Sequence, residues 1–481
     1  MILRISAARP AGGVATALRF RVRFGGVQRV AHLSTTRQGN CLSVTAEPGV
    51  LSKQQAVDAV TKTLTPSSKS DAVVILTSKS LAVWLQDATF VSKLLAPLGQ
   101  SEKPAELSVL SAAVDAIPRL SSTGSYSSSE GLAILHGSLD ETLPDLWSDP
   151  ESSESELQPS LEFQMAPLRH DPVQVTVPVA NTVFSNGRSH TIFASQWQTI
   201  KGTPPKLLRV VERTRQVIVT NTSNSYADSR VVAPLVPVTE PRKILAGLGN
   251  ILRQIEIDLL PAPASKELED IIPKLLKARS DRHNGYRQVG PMGVWAMVYP
   301  ERIVASRELP RVFDITSGEE WPHAREASKL VFKLLARGCH VRKILSGGGG
   351  WGFKQGLLSL DPQTKYSTSD DEDVENFIRS FHGQDSGGAT IAPGSYVQYF
   401  VEPFGCPPRG FRPRVRGGVA SVVLGNQSIL PEKTAQSDIQ VVKGQFGAVS
   451  SQGIYISSKE EKPHQITTKL DVWGSYITSR S

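Results

Sequence analysis

Cysteine is nearly missing from this 481-residue chain: Cys41, Cys339 and Cys406 are the only three, and no two of them form a CxxC pair. That excludes a disulfide framework and leaves a reducing compartment as the natural setting. No apolar run approaches the ~18 to 20 residues that a bilayer-crossing helix needs, so membrane insertion is not expected. The nine histidines are scattered, and neither HExxH, GxSxG nor a zinc-ligand spacing occurs, so no metal ligand and no catalytic residue is assigned. Aromatic residues make up only 6%. Acidic residues are absent before Glu47.

The acid-free stretch carries a message of its own. Arg4, Arg9, Arg19, Arg21, Arg23, Arg29 and Arg37 are interleaved with Ala, Val, Leu and Phe. This is the composition of a mitochondrial transit peptide, a basic amphipathic segment drawn inward by the membrane potential. A secretory signal needs an unbroken apolar core, which Arg19, Arg21 and Arg23 interrupt. Residues 1–40 are therefore read as a leader to the matrix. The net charge of +8 then loses its apparent meaning: taking those seven arginines from 53 basic residues leaves 46 against 45 acidic. A general polyanion-binding surface is not expected of such a chain, and nucleic-acid contact would need local patches.

What remains is rich in glycine (38), proline (32) and short Val/Ile runs, the pattern of strands joined by turns. The fold class expected is α+β, with an N-terminal α/β layer, a β-rich middle containing a long hairpin and a β-rich C-terminal part. In residues 41–137, Ser52 and Gln55 form a capping box ahead of a helix. A strand at 71–78, a second helix at 80–95, and strands at 106–114 and 131–135 follow. Residues 138–168 are serine-rich, with acids at 140, 141, 145, 149, 151, 154, 156 and 162, and read as a solvated linker. In the next part, 169–394, the runs Val175 to Phe184 and His190 to Trp197 flank Asn186-Gly187, which predicts a hairpin with Pro178 at an edge or bulge. A helix-like segment is expected from Arg242, weakened by Gly247 and Gly249. A short helix is expected at 266–276, a strand at 294–300, a clear helix at 322–336, and a strand HVRKIL before a glycine run. The tail, 395–481, alternates strands with glycine turns and packs with the part before it.

Two segments hold candidate binding residues. SGGGGWGFKQGLLSLDP, from Ser346, lacks the Lys-Ser/Thr of a Walker A loop, and Gly356 and Pro362 leave no room for the helix that a dinucleotide site requires. Two readings stay open. The amides of Gly347, Gly348, Gly349 and Gly350 can curl into an anion-binding nest, with Trp351 as a stacking face and Lys354 as counter-charge, assisted by Arg342 or Lys343. Alternatively, the glycines make a tight corner and Trp351 caps a core. In FGCPPRGFRPRVRGG, Arg409, Arg412, Arg414 and Arg416 stand beside Phe404 and Phe411, a mixture that single-stranded RNA binders use; solvated arginines on a Pro/Gly loop have the same composition. The acid run at 369–375 lacks the glycine of a calcium loop.

The segments DAVVILTS, LSVLSAAVDA, GLAILHG and VANTVFSNGRSHTIFASQW resemble the FIST class of sensory domains, which implies an α/β fold that binds a small ligand. AGLGNILRQIE and SGGGGWGFKQGLLSLDP are similar to segments of mitochondrial proteins of fungi. No ligand residue and no cofactor is carried over from either resemblance. The expectation is a non-enzymatic matrix protein that binds a small anionic ligand or a mitochondrial protein partner. Two alternatives stand beside it: an RNA- or ribosome-associated factor in mitochondrial gene expression, and an enzyme of unrecognised type.

Overall fold

The computed structural model describes residues 40–65, 70–120, 126–148, 158–168, 171–220, 229–282, 292–304, 308–347, 356–363, 366, 391–405, 422–427, 439–458 and 467–479. Residues 1–39 of the expected leader therefore lie outside the described residues, as do 149–157 of the expected linker and the acid run at 369–375.

The N-terminal layer is a sheet in the order Gln440–Lys443, Cys41–Ala46, Tyr126–Gly137, Ala72–Ser78, Ala105–Val114, Ile192–Thr199, Lys206–Glu212. Its neighbours are antiparallel except for Ala72–Ser78 with Ala105–Val114. A parallel pair needs a crossover, and the helical segments Lys79–Gln86 and Ala88–Leu95 supply it. The helix Lys53–Thr63 opens as its sequence requires: Ser52 Oγ accepts from the Gln55 amide while Gln55 Oε1 accepts from the Ser52 amide. These helices bury Val57, Val60, Phe90 and Leu94 against Val44, Ile75, Val109 and Ile134 of the sheet. The single helix expected at 80–95 is corrected to two segments. Asp87 Oδ1 accepts from the amides of Thr89 (3.0 Å) and Phe90 (3.1 Å), so the residue caps a new α-helix instead of continuing the first.

The other face of the sheet packs on a second β layer. One sheet runs Arg215–Val219, Ser160–Leu168, Asp171–Pro178, Ile454–Ser458, Thr467–Leu470, and a smaller one runs Ser229–Val232, Tyr476–Ser479, Val422–Asn426, Phe446–Ser450. Val74, Leu110 and Ala133 meet Phe163, Val175, Phe446 and Ile456 in one apolar cluster. Three expectations change here. Asp171–Pro178 and Ile192–Thr199 do not form a hairpin, because they belong to different layers. Pro178 is corrected from an edge or bulge to the last residue of an interior strand: it pairs with Ser160, and the Val179 amide still bonds the Pro159 carbonyl at 3.1 Å. The Ala180 amide then bonds the Ala113 carbonyl at 3.1 Å, and a helical turn Val183–Asn186 closes on Gly187 at φ +78°. Asn186-Gly187 does turn the chain, but as a helix end. Nor is the acidic stretch wholly a linker: Leu143 and Leu146 are buried, and Ser160–Leu168 is an interior strand of the second layer. Its Glu162 is buried against Arg215 and Gln174.

Six further strands close on themselves: Arg242–Leu248, Ile251–Ile257, Leu358–Leu360, His340–Gly347, Val294–Tyr299 and Tyr396–Val401, the last returning to the first. Every pairing is antiparallel, making a small barrel. Val294, Ala296, Val298, Val397 and Tyr399 share one core with Leu268 and Leu275 of the helix Lys266–Arg282 and Ala324 of the helix Glu320–Leu335. The alternate residues Trp295, Met297 and Phe400 face the other core, as the two-residue period of a strand dictates. The helix-like segment expected from Arg242 is corrected to a hairpin, Arg242–Leu248 with Ile251–Ile257, whose turn contains Gly249 at φ +56°. Ile244 pairs with Ile255 across it, which the spacing allows equally well in extended form. The tail is shared out: Gln440–Lys443 extends the N-terminal sheet, while Tyr396–Val401 completes the barrel. The α+β class is as expected.

Candidate functional site

Of the glycine-run candidates, Gly347 is the last residue of its strand and pairs with Leu358. A Cβ there would stand 2.4 Å from Leu358 Cδ2 and 2.7 Å from the Leu357 carbonyl. Strand pairing alone accounts for that glycine. Gly348, Gly349, Gly350, Trp351 and Lys354 lie outside the described residues, and so do Arg409, Phe411, Arg412, Arg414 and Arg416.

The foot of the glycine run is described, and its acids are already engaged. The Asp361 amide bonds the Lys343 carbonyl at 2.8 Å, clasping the two ends together. Asp361 Oδ2 accepts from Lys469 Nζ at 2.8 Å, and Asp471 accepts from the Trp295 indole at 2.9 Å. Arg342 is buried and donates to the Asp361 carbonyl at 3.0 Å; burial pulls its guanidinium down to about 10. Burial also raises the Asp471 carboxyl above its ordinary range. The root of the arginine-rich segment is equally anchored. Glu320 Oε2 accepts from the Phe404 amide (2.9 Å) and from Arg279 (2.6 Å), and the Trp321 indole donates to the Phe404 carbonyl.

A concave site of mixed apolar and polar lining lies elsewhere, where the crossover helix meets the far end of the N-terminal sheet. A cleft of about 270 Å³ is walled by Leu85 and Val91 on the helical side and by Leu207 and Val210 on the last strand. Its floor is Phe193 and Trp197, with Ser111 and Ser195 between them. Because Ser111 pairs with Phe193 and Ser195 with Val109, the two serines sit diagonally on one face of adjacent strands. Leu107, Val109, Phe193 and Trp197 share that face. Ser195 Oγ accepts from the Trp197 indole at 2.9 Å. Arg188 and Glu212 meet as an ion pair at the mouth, 42% and 65% exposed, and the guanidinium lies 5.2 Å from the Phe193 ring. His190 stands nearby: burial lowers its pKa, Glu212 opposes that shift and Arg188 adds to it.

The arrangement can bind an amphipathic small molecule. It offers flat apolar surface, the Ser111 hydroxyl, the Ser195 hydroxyl, which also reaches the Val109 carbonyl at 3.5 Å, and a cation whose present partner is solvated and easily exchanged. The imidazoles of this layer bond elsewhere, His136 to Ser70 and His190 to Ser189. Among the described residues no group of three or more His, Cys, Asp or Glu is placed to hold a metal ion, and no helix is long and apolar enough to cross a membrane.

Sequence reading passed over this cleft because it looks for clusters of charge or glycine. The available signal was subtler: Ser111 and Ser195 occupy phases of LSVLSAAV and IFASQWQT in which alternation places apolar residues. In comparisons with known proteins, the chain matches no family model, no curated protein and no solved structure.

Proposed function

We propose that the protein is a non-enzymatic ligand-binding protein of the mitochondrial matrix, and that it holds a small amphipathic anion in the cleft of the N-terminal layer. The observation that carries this reading is the convergence of Arg188, Ser111 and Ser195 on a floor of Phe193 and Trp197 within one concavity. A carboxylate replaces Glu212 on Arg188, and the apolar body lies between Val91 and Trp197. An exposed ion pair is worth at most ~1 kcal/mol, so breaking it opposes binding only weakly. The matrix destination rests on the arginine-rich leader.

The test is a panel of short aromatic and branched carboxylates, scored by thermal shift and then by calorimetry, against wild type, Arg188→Met and Ser195→Val. At least one acid should stabilise the wild type, and Arg188→Met should weaken it about tenfold, or ~1.4 kcal/mol. A panel without a stabilising acid, or binding undiminished in Arg188→Met, would refute the reading.

A further inference from the structure

The two serines on the cleft floor differ in what they already hold. Ser195 Oγ accepts from the Trp197 indole and reaches the Val109 carbonyl, so its proton and one lone pair are engaged. Ser111 lines the same cleft at 3% exposure, and among the described residues its hydroxyl has no hydrogen-bond partner. A buried hydroxyl left unpaired is costly, and one that borders a cleft can be satisfied by a ligand's polar group. Ser43, Thr45 and Thr77 are also without a side-chain partner, but their oxygens are sealed and none of them lines the cleft.

Strand register fixes where Ser111 stands relative to the cation. Ser111, Phe193 and Glu212 form one row across three neighbouring strands, because Ser111 pairs with Phe193 and Phe193 with Glu212. Neighbouring strands lie about 4.8 Å apart, so Ser111 and Glu212 stand about 10 Å from each other with Phe193 between them. Ser111 is on the inner strand; Glu212 is on the terminal one, where it holds Arg188 at the mouth. A carboxylate that takes Glu212's place on Arg188 can therefore reach Ser111 with its far end if its body crosses Phe193. That crossing is floored by two aromatic rings, Phe193 and Trp197, which suit a flat aryl body.

We infer that the ligand of this cleft is an aryl carboxylate carrying a hydroxyl at the end of the ring remote from the acid, and that Ser111 is the residue that selects the hydroxyl. This rests on the reading of the cleft as an anion site and adds the ligand's second polar group. The Ser111 hydroxyl both donates and accepts, so a phenolic hydroxyl pairs with it in either direction. An acid lacking that group, or carrying it at the wrong ring position, leaves Ser111 unpaired beneath the ring.

Calorimetry of the full chain with para-hydroxyphenylpropanoate, ortho-hydroxyphenylpropanoate and phenylpropanoate tests it, on wild type, Ser111→Ala and Arg188→Met, each variant checked for unchanged circular dichroism. The para acid should bind the wild type about tenfold more tightly than either analogue. Ser111→Ala should bring the para acid down to the level of the other two, whereas Arg188→Met should weaken all three and keep their order. Equal binding of the para acid and phenylpropanoate to the wild type, or a preference that survives Ser111→Ala, overturns the inference and leaves the anion site standing. If none of the three binds while another carboxylate does, the inference again falls alone. If no carboxylate binds, or Arg188→Met changes nothing, both readings fall.

Discussion

The N-terminal layer and the barrel solve the same problem, burying strands, with opposite chemistry. The layer is an open sheet covered by helices, and the polar atoms it buries are mostly small hydroxyls: Ser43, Thr45 and Thr77 have no side-chain hydrogen-bond partner. The barrel has closed its six strands, and its surroundings bury full charges. Arg279 and Glu320, each 4% exposed, meet at 2.9 and 2.6 Å through two guanidinium nitrogens. Asp361 and Lys469 form a second pair at 2.8 Å. Closing a sheet removes its edges; leaving it open keeps an edge strand and the cleft beside it. The region assigned a binding role is thus the one whose sheet stays open.

The sharpest way to break the comparison is to remove a charge beside the barrel. Arg279→Met strands Glu320 in the interior and should cost about 3–5 kcal/mol, read from urea unfolding. The double variant Arg279→Met/Glu320→Leu should recover most of that loss, because the pair's desolvation cost disappears with it. In the N-terminal layer, where apolar contact dominates, Ile75→Val should cost only ~0.5–1.5 kcal/mol by the same measurement. A loss for Ile75→Val as large as that for Arg279→Met would erase the distinction.

A smaller effect separates the regions by pH. Burial lowers the His136 pKa, so the stability its neutral form supports is present above the ordinary value near ~6.5 and is lost as pH falls through the lowered one. Burial raises Asp471 and Glu402, so their contribution is complete below the ordinary carboxylate range of about 4 and is lost as pH rises through the raised values. Melting temperatures across pH should therefore respond in opposite senses. His136→Asn should flatten the loss on the acid side and Asp471→Asn the loss on the rising side. Identical profiles for both variants would contradict the opposite signs.

Local patterns were legible where a segment's neighbours agreed with it. The capping box at Ser52 and Gln55, the strand Ala72–Ser78 and the helix Glu320–Leu335 could be read because periodicity, cap and stop signal point one way. RKILAGLGNILRQIE was not legible as a hairpin, because Ile244, Leu248, Ile251 and Ile255 satisfy helical spacing while Gly247 and Gly249 argue against it. Barrel closure decided between them. The run around Asn186-Gly187 failed for a related reason: its second strand was read correctly, the first stops at Pro178 with Val183 and Phe184 in a helical turn, and a turn does not reveal whether the chain returns to the same sheet. The cleft was hidden since Ser111 comes from a stretch more than seventy residues away from the one that carries Arg188 and Ser195.

Composition and periodicity alone established the arginine-rich, acid-free amino end, the near-neutral remainder, the mixture of helices and strands and several element limits, because each is a property of neighbouring residues. Tertiary structure alone decided which strands pair, that six of them close into a ring, that Gln440–Lys443 returns to the first sheet, and that a concave site lies beside the terminal strand Lys206–Glu212. Those depend on contacts between residues up to hundreds of positions apart, selected by the total burial of three apolar cores, and short-range spacing carries no record of that choice.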